Sequence, residues 1–289
     1  MKRGMTASVG VIGGSGLYEM EGLTRIKALR VATPFGAPSD AIMVGDIEGI
    51  RVAFLARHGR GHKLSPSEIN YRANIYALKK LGVERIVSVS AVGSMKESIQ
   101  PGHVVVPDQF FDMTKRRIGT FFDRGIVAHV SLAYPVCRDV SENLAEAARK
   151  CGATVHEGGV YLCIEGPQFS TRAESLVFRQ WGVDVIGMTN LPEAKLAREA
   201  EMCYATMALA SDYDCWHPDH DAVTVEAVVE TFHRNVTLSQ RVLRTLIPTF
   251  AEDRRCACAS ALKAAVLTSP DKIPAATRKR LRLLLGNKK

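Results

Sequence analysis

The chain has 289 residues, 46% hydrophobic and 24% charged, the balance of an ordinary globular protein, which argues against disordered, collagen-like and membrane-spanning classes. A formal charge of +8 would normally point to polyanion binding. Residues 254–289 hold ten basic residues and one acid (+9), leaving 1–253 at −1, so the basic character belongs to a tail and the body is nearly neutral.

The N-terminal MKRGMTASVGVIGGSG has an apolar stretch of only four residues, too short for a signal peptide or a span. Seven cysteines with scattered spacing do not form a secreted disulfide framework, so a reducing cytoplasm is expected. Val9 to Ile12 reads as a strand that runs into Gly13-Gly14-Ser15-Gly16. Glycines let backbone N–H groups converge on an anion and Ser15 adds a donor, although the run fits neither G-x-G-x-x-G nor the P-loop. A second strand, Arg51 to Ala56, leads into Arg57-His58-Gly59-Arg60-Gly61-His62, where planar guanidinium forks and imidazoles suit an oxyanion. Zinc on His58 and His62 is disfavoured, because i,i+4 ligands sit on helices and two glycines intervene.

Ser65-Pro66-Ser67-Glu68 reads as a capping box that opens a helix with Ile69, Ala73, Tyr76 and Ala77 on one face, stopped by Gly82. The next strand passes through Ile86 to Ser90 into Ala91-Val92-Gly93-Ser94, small residues that allow a ligand close to the backbone at the carboxyl end of a sheet. Further short apolar runs follow at His103 to Val106, Val160 to Ile164, Val183 to Met188 and Cys203 to Ala210. Thr171 and Glu174 cap a helix ending at Gly182, and Pro192 opens another. Asp212 and Asp214 come next, acids at i and i+2 that can project the same way from a strand end. Cys215, His217, His220 and Asp221 lack paired metal-ligand spacing. From Thr224 a 3.6-residue period predicts one long amphipathic helix to Leu246. After a break at Ser269-Pro270-Asp271, a basic helix covers Ala275 to Leu285, with leucines suited to packing. The alternation predicts an α/β fold, with domain boundaries at 1–253 and 254–289.

The stretches VGVIGGSGLY (9–18), TPFGAPSD (33–40), ARHGRGHKLSPSEINYRANIYALK (56–79), SAVGSMKESIQPGHVVVPDQFFD (90–112), IEGPQFSTRAES (164–175), VIGMTNLPEAKLAREAEMCYA (185–205) and SDYDCW (211–216) strongly resemble the 5′-methylthioadenosine phosphorylases of the trimeric purine nucleoside phosphorylase superfamily. The resemblance covers residues 8–250 in order. It implies a single α/β domain with a central mixed sheet flanked by helices, a cytoplasmic homo-oligomer that is a trimer or a hexamer built as a dimer of trimers, and phosphorolysis of methylthioadenosine. Nucleoside and inorganic phosphate are the small-molecule partners. Phosphate is a co-substrate, with no cofactor, no metal residue and no membrane partner.

Carried over by position, the resemblance assigns the phosphate site to Ser15, Arg57, His58, Ser90, Ala91 and Thr189. Met188 would contact the ribose and Phe169 the purine, with Ala91 also against the substrate, while Asp212 would protonate N7 and Asp214 would read the 6-amino group. Val225 and Val229 would line the 5′ pocket, to which a neighbouring subunit would lend His129. Inosine-type relatives carry Asn at the position of Asp212, so the two acids favour adenine over a 6-oxopurine, the alternative substrate class with methylthioinosine. Gly187 and Asn190 depart from the pattern of some members. Cys256-Ala257-Cys258 is similar to the C-x-C of thermophilic members, and three states stay open for it: a disulfide, a metal site or reduced thiols. Nucleic-acid binding through the tail is a reading of a different class, ranked below a packing helix.

Overall fold

A computed structural model of the chain describes residues 6–218 and 225–286, apart from the side chains of Ser15 and of 225–234. In chain order the first half contains β1 (Val9–Gly13), β2 (Thr24–Leu29), β3 (Ile42–Ile47), β4 (Ile50–Ala56), α1 (Tyr71–Lys80), β5 (Arg85–Ser94), β6 (Val104–Val106) and β7 (Gln109–Asp112). The second contains α2 (Arg138–Lys150), β8 (Val155–Glu157), β9 (Val160–Cys163), α3 (Arg172–Gln180), β10 (Val185–Gly187), α4 (Asn190–Glu199), β11 (Cys203–Asp212), α5 (Val225–Leu246) and α6 (Ala275–Leu285). The strands form one mixed sheet, and the fold is a single α/β domain of the expected kind.

Strand alternation sorts the core onto the two faces of the sheet. Val9 and Val11 of β1 join a cluster with Leu144 of α2 and with Val242 and Leu243 of α5. Ile12 joins the opposite cluster, with Ile75 and Leu78 of α1, Leu196 of α4, and Leu281 and Leu284 of α6. Both faces are therefore covered by helices, as buried parallel strands require.

The centre of the sheet positions the site. β1 runs parallel to β4 on one side and to β5 on the other. β1 pairs with β5 only as far as Ser88, whereas β11 follows β5 from Arg85 to Gly93 on the other edge. Antiparallel β10 takes up the β1 edge again at Gly93 and Ser94. Between Ser88 and Gly93 that edge of β5 has no neighbouring strand, and the opening lies where β1 and β4 end at their carboxyl termini.

Two local expectations are corrected. The Ser65 and Glu68 pair forms, with Ser65 N and Oγ donating to Glu68 Oε2 at 2.9 and 2.7 Å, but it closes a turn and not a helix. The helix begins five residues later because Asn70 takes the cap, accepting from Ala73 N at 3.1 Å while donating to Phe35 O at 2.7 Å. At the other acidic site, Asp212 is the last residue of β11 and Asp214 lies beyond it at φ +53°, so strand alternation does not align the two acids. Thr171 and Glu174 do form a capping box at the start of α3. Leu191 is non-helical, so the regular part of α4 starts at Pro192.

The tail packs on the body. Leu281 and Leu284 are buried, Thr277 Oγ1 donates to Arg124 O at 2.7 Å, and Arg280 bonds the Asp123 carboxylate. Among the described residues no helix is long and apolar enough to cross a membrane.

Candidate active site

The opening beside β5 is lined by short hydroxyls. Ser90 Oγ lies 3.4 Å from Thr189 Oγ1 and 3.2 Å from the Tyr161 hydroxyl. Thr189 precedes α4 and spends no side-chain bond on capping it, so its hydroxyl stays turned toward Ser90. Successive residues of a strand direct their N–H and C=O groups to alternate edges. Val89 O accepts from Arg57 Nη1 across the β1 edge, which puts Val89, Ala91 and Gly93 on that edge and aims the Ala91 amide into the gap. Gly13 ends β1 beside it, tied by a 2.9 Å bond from Arg57 N to Gly13 O. Ser15 opens the 3-10 turn Ser15–Glu19, and its side chain lies outside the described set.

Arg57 is 3% exposed and its guanidinium is largely occupied by the protein. Nε and Nη2 donate to the two oxygens of Glu193 at 3.0 and 3.1 Å, and Nη2 also reaches Ser88 Oγ and Ile12 O. The planar fork expected for phosphate therefore faces Glu193, whose charge and hydrogen bonds more than offset burial and hold Arg57 above its usual pKa. Nη1 carries two hydrogens and, among the described residues, bonds one acceptor, Val89 O, so one N–H remains for an anion. Glu193 Oε1 further accepts from Ser88 Oγ and the Tyr204 hydroxyl, both at 2.9 Å. It sits in the first turn of α4, where the helix dipole favours a carboxylate.

His58 stacks on His62 with ring centroids 4.2 Å apart. Burial, ahead of the neighbouring Arg57 charge, depresses its pKa to about 4, so the ring is neutral near pH 7. Its Nδ1 donates to Leu64 O at 2.8 Å, which leaves Nε2 as an acceptor that can receive the proton of a phosphate P–OH.

Asp212 and Asp214 meet at the end of β11 by a different route from strand alternation. A register shift between Ala210 and Asp212 turns the chain, and Asp214 N donates to Asp212 Oδ1 at 2.8 Å in an Asx-type turn. Ser211 Oγ donates to Asp212 Oδ2 at 2.6 Å and Ser175 Oγ to Asp214 Oδ2 at 2.5 Å. Burial pushes both carboxyls up, in Asp214 with added repulsion from Asp212. Gly93 lies beneath them: a Cβ there would stand 3.0 Å from Asp212 Oδ1 and 3.2 Å from Asp214 Cβ.

Met188 follows β10 and approaches Gly166 so closely that a Cβ there would be 2.5 Å from its sulfur. Phe169, 52% exposed, stands on the loop before α3. His129 belongs to a surface cleft of about 740 Å³ shared with the tail, and its N donates to Ala265 O at 2.8 Å. Val225 and Val229 lie on α5, where their side chains are outside the described set, and His220 and Asp221 fall outside the described residues.

Sequence reasoning overlooked three supports. Besides Glu193, Arg117 has a buried side chain that donates to Met188 O, Leu191 O, Ile164 O and Glu165 O, clamping the two loops that carry Met188 and Phe169. Nothing in Lys115-Arg116-Arg117 distinguishes it from a solvated basic run. Tyr161 explains Gly187, since a Cβ at 187 would lie 2.0 Å from the tyrosine hydroxyl that contacts Ser90.

A sequence profile of the Phosphorylase superfamily matches residues 8–248. The chain is 57% identical to S-methyl-5′-thioadenosine phosphorylase of Geobacter sulfurreducens, over 98% of this chain and 99% of the relative. It is 51% identical to the protein of that name from Thermofilum pendens, over 90% and 98%. Among solved structures, a methylthioadenosine phosphorylase sourced from an Antarctic soil metagenomic library superposes with TM-score 0.94 at 49% identity, covering 97% of this chain and 99% of that one. The methylthioadenosine phosphorylase of Schistosoma mansoni in complex with adenine superposes at 0.85 with 36% identity, over 90% and 99%.

Proposed function

The chain belongs to the phosphorylase superfamily, and from that membership we propose how its residues carry out the reaction. The enzyme is a pentosyltransferase that cleaves S-methyl-5′-thioadenosine with inorganic phosphate, giving adenine and 5-methylthioribose 1-phosphate. The product pair suits purine and methionine salvage.

Phosphate occupies the opening beside β5. It receives hydrogen bonds from the Ala91 amide, the Ser90 and Thr189 hydroxyls, Ser15 and the remaining Nη1 hydrogen of Arg57, while His58 Nε2 accepts its proton. An anion fixed there is both nucleophile toward C1′ and counter-charge for the oxocarbenium-like sugar. Met188 lies against the ribose and Phe169 against the purine. As the C1′–N9 bond breaks, protonated Asp212 donates to N7 and Asp214 accepts from the 6-amino group. The raised Asp212 carboxyl supports the donor half of this assignment. A buried acid that stays protonated can donate as the leaving base gathers charge. Val225 and Val229 form the 5′-methylthio side, completed by His129 of a neighbouring subunit in a trimer or a dimer of trimers. The scattered spacing of the seven cysteines supports a cytoplasmic location.

The observation that carries this reading is the gap between β1 and β10 on the β5 edge, lined by Ser90, Ala91 and Thr189 and lying beside two raised carboxyls. The test is base release from methylthioadenosine, methylthioinosine, adenosine and inosine with and without phosphate. Release should require phosphate and favour the 6-amino substrates; phosphate-independent adenine release would overturn it.

A further inference from the structure

Four of the seven cysteines take no part in this chemistry, yet they converge. Cys137 precedes α2, Cys203 opens β11, and Cys256 and Cys258 come from the tail. Their four sulfur atoms all lie within 4.8 Å of one another, and those of Cys203 and Cys256 are 3.2 Å apart. Cys137, Cys203 and Cys258 are buried and Cys256 half-buried. The first two are fixed by the sheet, since Cys137 N donates to Tyr204 O at 2.8 Å and Cys203 N to Glu84 O at 2.9 Å. The tail is pinned on either side of its pair: Arg254 Nη1 donates to Glu201 O at 2.6 Å and Leu262 N to Glu201 Oε1 at 3.0 Å.

Four thiolates about 2.3 Å from a central zinc stand about 3.8 Å from each other in a tetrahedron. The 3.2 Å between Cys203 and Cys256 and the 4.8 Å upper bound for all four sulfurs lie on either side of that value. We propose that Cys137, Cys203, Cys256 and Cys258 form a mononuclear zinc site that fastens the C-terminal tail to the body. Zn²⁺ replaces four thiol protons, which pass to solvent, and leaves a centre of charge −2. The two clefts that the cysteines line carry both signs of charge, Arg138, Arg198, Arg254 and Arg255 beside Asp139, Glu252 and Asp253. Four protein ligands leave no open position, so the site is structural and lies outside the phosphorolysis. Its ligands come from three distant parts of the chain, which is why no paired spacing announced it in the sequence.

The test uses the full-length chain, produced in zinc-containing medium and purified under reducing conditions without chelator. Elemental analysis should find about one zinc per chain, released by a mercurial. Cys256→Ser and Cys258→Ser should each lower zinc content at least ~10-fold, lower the melting temperature, and leave phosphorolysis below the melting range unchanged. Should those variants fold poorly, cobalt substitution of the unaltered protein gives the readout, with sulfur-to-cobalt charge-transfer bands and tetrahedral ligand-field intensity. Protein that stays metal-free after incubation with excess zinc and reductant overturns the proposal. So does a mass loss showing these cysteines joined as disulfides, or stoichiometric zinc retained in well-folded serine variants.

Discussion

Asp212 is a carboxyl kept from water yet given two hydrogen-bond donors, Ser211 Oγ and Asp214 N. Burial outweighs those donors and raises it, so the protonated form persists to higher pH than in an ordinary aspartate. If that proton reaches N7, kcat/KM for methylthioadenosine falls as pH rises through the Asp212 titration, and Asp212→Asn removes that limb of the profile. The substitution should also cost about 10²–10⁴-fold on the 6-amino substrate and shift the amino-to-oxo ratio toward oxo. An unchanged ratio of specificity constants would refute the base-recognition argument. His58 has the opposite sign. Its folded pKa of about 4 lies below the unfolded value of about 6.5. As pH falls from 6.5 toward 4 the unfolded chain gains a proton that the folded chain refuses, so stability is lost across that window. His58→Gln should flatten the dependence of urea midpoint on pH between 4 and 6.5. Gly187 is set by contact: a side chain of any size meets the Tyr161 hydroxyl. Gly187→Ala should lower stability by about 1–3 kcal/mol and raise the KM for phosphate by disturbing Ser90.

Whole elements carry the site as much as single residues do. The segment from Thr189 to Glu193 holds both the hydroxyl proposed for phosphate and the carboxylate that anchors Arg57. Removing that carboxylate by Glu193→Ala strands a buried guanidinium and should cost about 3–5 kcal/mol in denaturant unfolding, with a loss of phosphate affinity. Long periodic elements were legible in the sequence: α5, α6 and the α3 capping box stand where patterning puts them. β2 was not, because it is an edge strand with five of its six residues exposed, and the alternation Arg25-Ile26-Lys27-Ala28 is too short to stand out. β8 has three residues, too few for any period to register. Motifs named the residues proposed for phosphate and purine, but not Glu193, Arg117 or Tyr161, whose contacts rest on partners far away in the chain. The SDYDCW stretch pointed to Asp212 and Asp214, but the strand alternation expected to align them fails, and an Asx-type turn is what joins them.

At the scale of the molecule, the +8 charge that suggested polyanions resolves into a tail that packs as part of the fold. Arg280 is paired with Asp123, and Leu262, Ala265, Leu281 and Leu284 belong to the main core. Deletion after Asp253 should therefore lower the melting temperature sharply, each fully buried leucine contributing about 1.5–3 kcal/mol. A truncated chain as stable as the full one would show that the tail is dispensable to the fold.

The sheet is left one rung short on the β5 edge beyond Ser88, where pairing with β1 has ended and pairing with β10 has not begun. Most folds complete their own hydrogen-bond ladders; in the proposed reading this one leaves the Ala91 amide for phosphate to finish. On the proposed binding mode inorganic phosphate acts as a transient piece of secondary structure, and its arrival should appear as slowed hydrogen–deuterium exchange at Ala91 before any bond is cleaved.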